Sequence, residues 1–156
     1  MELLNKKRQK EIWLNQLEKP YNFVSPFDGE AFVCILFNND PIISNDEQNK
    51  ISDDLIASNC RYAVCAGYDC SSWDDSIDWA YISTDENYEP PDDSMVMTTW
   101  HDDETVNDIM FFGLNNTNFD DHDFHKYLIL FIGAKDGLKE EVEKTIQNEW
   151  IELNKC

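Results

Sequence analysis

Two runs of this chain, Ala31-Phe32-Val33-Cys34-Ile35-Leu36-Phe37 and Tyr127-Leu128-Ile129-Leu130-Phe131-Ile132, are apolar at every position. Neither alternates, so neither can be a strand with one wet face, and both fall far short of the roughly 18–20 residues that a membrane helix needs. A short unalternating run bounded by turn residues is a strand covered on both faces, which a parallel sheet with helices above and below provides. Asn38-Asn39-Asp40-Pro41 stops the first run and Gly133 the second. Two further runs, Tyr62 to Ala66 and Met95 to Trp100, complete a set of four.

The stretches between them read as helices. Ile51, Leu55 and Ile56 share a face within 50–59, and Trp73, Ile77, Ala80 and Tyr81 share another, with Ser72 as the expected N-cap. A third helix follows His101-Asp102-Asp103-Glu104 and runs to about Phe112. Leu138, Val142, Ile146, Trp150 and Leu153 keep helical spacing over 138–154. At the amino end, Leu3/Leu4, Ile12/Trp13 and Gln16/Leu17 suggest a helix over 3–17, with Lys6, Lys7, Arg8 and Lys10 outside and Pro20 as its stop. Tyr21 to Val24, joined through the Asp28-Gly29 turn, is a possible extra hairpin strand. The expectation is one α/β domain over 1–156: a three-layer α/β sandwich around about four central parallel strands. The pattern does not contain the strand order.

Charge is the second constraint. With 32 acidic against 12 basic residues the formal net charge is −20, far beyond the roughly 2–8 usual for a small domain. From Tyr62 to His125 there are 16 acidic residues and no Lys or Arg. Trp73, Trp79, Tyr81, Trp100, Phe111 and Phe112 lie in the same stretch, so it describes a folded acidic surface and not a solvated tail. Repulsion on this scale is explained by a halophilic surface, a basic protein partner, or mimicry of nucleic acid. Direct nucleic-acid binding is excluded, because phosphate contacts need Lys and Arg. Met1–Lys10 is charged and does not read as an export signal, and the five Cys have irregular spacing. Reduced thiols and a cytoplasmic location are expected, with no membrane association.

Ligands of an open parallel sheet sit beyond the carboxyl ends of its strands. That rule points to His101 and Asp102, an imidazole and a carboxylate where a strand hands over to a helix, able to move a proton or hold a metal. The competing reading has Asp102 or Asp103 capping that helix. Cys70, with Asp69 before it, lies at a helix start where a thiol can be activated, and His101 would approach it if their strands were neighbours. Asp120, His122 and Asp123 are weaker metal candidates, lacking the spacing and glycine of a calcium loop. No glycine-rich phosphate loop occurs among the five Gly, and no cofactor is expected.

Thr98-Thr99-Trp100-His101-Asp102-Asp103-Glu104, followed by Phe111-Phe112 and Asn118-Phe119-Asp120-Asp121, resembles an uncharacterised family of small acidic bacterial proteins. The resemblance covers Met95 to Gly133 and implies no activity and no site residues.

The functional expectation is an acidic protein-binding module of the immunity, antitoxin or inhibitor type, nucleic-acid mimicry included, docking a basic partner. Its expected face is Asp74, Asp75, Asp78, Asp85, Glu86, Glu89, Asp92 and Asp93. The alternative is a small hydrolase or metal-dependent enzyme centred on His101 and Asp102.

Overall fold

The computed structural model describes residues 1–7, 10–119 and 124–153, with side chains described for 1–4, 10–119 and 124–148. Its element order is β1 (Glu2–Lys7), β2 (Lys10–Leu17), β3 (Phe32–Asn38), α1 (Asn45–Ala57), β4 (Cys60–Gly67), α2 (Cys70–Ile82), β5 (Met97–Trp100), α3 (Val106–Asn115), β6 (Lys126–Ile132) and α4 (Leu138–Leu153). The protein is α/β, with a six-stranded sheet in the order β1-β2-β6-β3-β4-β5. The four expected strands, β3 to β6, are all mutually parallel.

Six strands replace about four because the expected helix over 3–17 is instead β1 and β2, an antiparallel pair. β2 then runs parallel to β6, with Ile12 beside Tyr127 and Leu17 beside Ile132. Ile12 and Leu14 are buried on one side of the strand. The apolar edge of β6 would otherwise be bare, and covering it outweighs the helix preference of Lys, Glu and Gln in this segment. Tyr21 to Val24 is not a strand. Tyr21, Phe23 and Phe27 bury their rings in the core from an irregular segment, so the hairpin lies at 2–17 and not at 21–37.

Chain direction explains the layering. From β3 through α1, β4 and α2 to β5 the strands advance one way across the sheet, and α3 then returns the chain past β4 and β3 to β6. Right-handed crossovers place helices of opposite travel on opposite faces. Accordingly Ile51, Leu55, Trp73 and Ile77 of α1 and α2 pack with Cys34, Leu36, Ala63 and Cys65. Ile109, Met110, Val142 and Ile146 of α3 and α4 pack with Val33, Ile35, Val64 and Ile129. Seven consecutive positions of β3 are buried, which is why that run carries no polar alternation.

Helix starts differ from those expected. Ser44 begins α1 with a capping box: its hydroxyl accepts from Glu47 N at 3.1 Å, and Glu47 accepts from Ser44 N at 3.0 Å. Ser72 lies inside α2, which opens after Asp69 in left-handed backbone at φ 53 without a side-chain cap. Thr105, not Asp102 or Asp103, caps α3 by accepting from Asp108 N at 3.1 Å. Among the described residues no helix is long and apolar enough to cross a membrane.

Candidate functional site

The sheet reverses direction between β3 and β6, and this is where an open α/β sheet usually forms its ligand crevice. Here the crevice is filled. Asn39 donates from its backbone N to Ile132 O at 2.8 Å and from Nδ2 to Gly133 O at 3.1 Å. Tyr21 donates to Asp40 at 2.6 Å from the loop after β2. That bond holds the Asp40 carboxyl below its usual range, while burial and Asp40 together push the Tyr21 hydroxyl up.

Two shallow clefts lie along the strand ends among the described residues. One, of about 200 Å³, is lined by Asn39, Gly67, His101, Asp102, Glu104 and Lys135, among others. The other, of about 250 Å³, is lined by Gly67, Asp69, Cys70, Ser71, Trp100 and Asp102. β4 and β5 are indeed neighbours, yet His101 and Cys70 fall in separate clefts that share only Gly67 and Asp102. His101 is buried, with Nδ1 on Glu104 at 2.8 Å, Nε2 on Thr99 at 2.9 Å, and its ring 4.7 Å from that of Phe112. Both nitrogens are thus engaged with neighbours on the same strand end. The Cys70 thiol is pushed up by burial and by the charge of Asp102, which disfavours a thiolate nucleophile. Among the described residues no group of three His, Cys, Asp or Glu side chains is arranged to hold a metal. Asp120, His122 and Asp123 lie outside the described residues.

The expected acidic face divides in two. Asp75 is exposed on α2, as are Glu86, Glu89, Asp92 and Asp93 in the segment after it. Asp85 is half-buried and shapes that segment, accepting from Asn87 N at 3.0 Å and Glu89 N at 3.1 Å. Asp74 is buried and Asp78 half-buried, so neither projects from the outer face with Asp75. Trp73 and Ile77 face the sheet, so the helix flank one residue further round, carrying Asp74 and Asp78, meets edge strand β5. Thr98 donates to Asp78 at 2.9 Å, and Asp74 is only 7% exposed. Burial raises both carboxyl pKa values against the lowering effect of the Thr98 hydroxyl, and neighbouring aspartates add to the rise.

One feature of this face had no warning in the charge pattern. Trp79 and Tyr88 are 60% and 62% exposed, with ring centroids 5.9 Å apart. Trp79 stands one helical turn after Asp75, and Glu86 and Glu89 flank Tyr88 in the sequence. The signal available was Trp79 itself, which lies off the Trp73–Ile77–Tyr81 stripe and therefore outward.

The class these observations define is a doubly wound α/β domain with a filled switch point and an acidic aromatic face. Residues 12–149 match the family described as Domain of unknown function (DUF7684), and the chain belongs to that family. The match includes Met95–Gly133 and agrees with that segment's resemblance to an uncharacterised family. No curated protein and no solved structure matches the chain.

Proposed function

We propose that the protein is an acidic docking module, of the immunity, antitoxin or inhibitor type, whose α2 face binds a basic protein partner. The observation that carries this reading is the exposed Trp79–Tyr88 pair, set among Asp75, Glu86 and Glu89 in a stretch without Lys or Arg. Aromatic anchors supply most of the energy of a typical interface, and like-signed charge around them selects the partner and speeds encounter. A surface acidic only for solubility gains nothing from exposing two large rings together. The strand-end clefts support the enzymatic alternative less well, since both imidazole nitrogens of His101 are already bonded and the Cys70 thiol is disfavoured as a thiolate.

The test is a pair of variants measured against a bound partner. Trp79→Ala removes an anchor and should raise Kd by roughly 30-fold or more, the scale of a 2 kcal/mol hot spot. Asp75→Asn with Glu86→Gln and Glu89→Gln should slow association and flatten its salt dependence, with less effect on dissociation. Unchanged Kd in the first and unchanged on-rate in the second would refute the reading.

A further inference from the structure

β5 closes one side of the sheet, and among the described residues no strand pairs beyond it. Its ladder with β4 sets Met97 beside Tyr62 and Trp100 beside Cys65 and continues through His101 N, which donates to Cys65 O at 2.9 Å. Successive strand residues turn their backbone groups to opposite edges. With His101 turned toward β4, Met97 and Thr99 turn the same way. Thr98 and Trp100 therefore offer N–H and C=O on the outer edge. Side chains alternate between faces as well, and the Thr98 side chain lies on the α2 side, where it meets Asp78.

Asp74 sits one helical turn before Asp78 on the same flank. Its Oδ1 is buried with no hydrogen-bond partner, and among the described residues neither carboxylate is paired with a Lys or Arg. A buried carboxylate oxygen with no donor is costly and calls for a partner. Acid also brackets the strand, with Asp92 and Asp93 exposed before it, Asp102 exposed after it, and Trp100 56% exposed at its end.

We propose that the outer edge of β5 takes an extended, lysine- or arginine-bearing segment of the partner as a seventh strand, one basic side chain of which lies against Asp74 and Asp78. This rests on the acidic-docking reading and names its binding mode. A strand added at the usual spacing of about 4.8 Å places a residue beside Thr98 on the α2 side. The Asp78 carboxylate is 2.9 Å from the Thr98 hydroxyl, so a Lys or Arg at that added position meets Asp78 and puts a counter-charge on the flank that also carries Asp74. Main-chain bonds give such a complex its affinity and the alternate side chains its specificity. A second copy of the chain is disfavoured as the occupant, because each copy carries a net charge of −20.

The probe is a capped heptapeptide of alternating lysine and valine, compared with the same peptide N-methylated at every backbone amide. Charge and side chains are equal; only the first can extend a sheet. The expected result is binding of the unmodified peptide at least about tenfold tighter, with slowed hydrogen exchange at the Thr98 and Trp100 amides. Asp74→Asn with Asp78→Asn should weaken it about tenfold, and Asp92→Asn with Asp93→Asn, an equal loss of charge, by clearly less. Equal affinity of the two peptides, with unchanged exchange at Thr98 and Trp100, overturns strand addition and leaves acidic docking standing. Failure of both peptides to bind at low salt overturns the two readings together.

Discussion

Thr98 Oγ1 donates to Asp78 Oδ1 at 2.9 Å and so ties α2 to the edge strand β5. One hydroxyl serves a flank that carries two carboxylates, since Asp74 lies one turn earlier with Oδ1 unpartnered. The unliganded fold therefore holds uncompensated negative charge where helix and edge strand meet.

Asp74→Asn should stabilise the fold by about 1 kcal/mol at pH 7, the scale of a relieved buried polar group. Burial raises the folded pKa of Asp74 above its unfolded value. The ionised side chain therefore destabilises most above the folded pKa, and protonation removes that cost as pH falls toward the ordinary carboxyl range near about 4. Urea unfolding at pH 7 and near pH 4 checks this: the gain should shrink at the lower pH. A gain independent of pH would contradict it.

Tyr21→Phe should destabilise by about 1.5–3 kcal/mol at neutral pH, because it removes a buried hydrogen bond to a charged acceptor. The sign of the pH effect is opposite to that of Asp74. Asp40 has a lowered folded pKa, so its contribution is present above the unfolded carboxyl value and is lost as pH falls through the folded one. The difference between wild type and variant should narrow in acid, read again by urea unfolding.

Gly113→Ala should cost about 1–3 kcal/mol, since the new methyl would meet Ile35 Cδ1 at 2.4 Å where α3 crosses β3. Gly67→Ala should cost more. Its Cβ would fall 2.2 Å from the backbone O of Asn38, and its φ is +87. Thermal melts of the two variants should rank in that order.

The sequence reveals the central sheet more readily than its edges. β3 and β6 are buried at nearly every position, and a run of six or seven apolar residues without alternation fits a strand covered on both faces. β2 carries no alternation that marks a strand, because apolar Trp13 stands between Ile12 and Leu14. Its flanking Lys, Glu and Gln favour helix locally, and the bare edge of β6 that decides the matter is more than 100 residues away in the chain. The same limit applies to the acidic face. Helical spacing places Trp73 and Ile77 inward, but only the position of a short edge strand buries Asp74 and half-buries Asp78. His101 and Cys70 could be placed at strand ends by rule, and the Cys70 thiol does meet the His101 backbone, whereas the turning of the imidazole into a different cleft depends on side-chain direction, which no spacing encodes.

Neutral substitution on the outer face should leave the fold unharmed. Asp75→Asn with Glu86→Gln and Glu89→Gln removes three exposed charges from a chain of net charge −20, so stability should stay within about 0.5 kcal/mol or rise slightly. Urea unfolding provides the check. A loss beyond about 1 kcal/mol would show that these side chains hold the 83–94 segment in place.

The most direct measurement retains native lysate on the immobilised wild-type chain, on Trp79→Ala, and on the Asp75→Asn/Glu86→Gln/Glu89→Gln variant, and quantifies the bound proteins at low and high salt. A discrete basic protein should be held by wild type at low salt, released at high salt, and depleted from both variants. The same proteins on all three surfaces, in equal amounts, would contradict acidic docking.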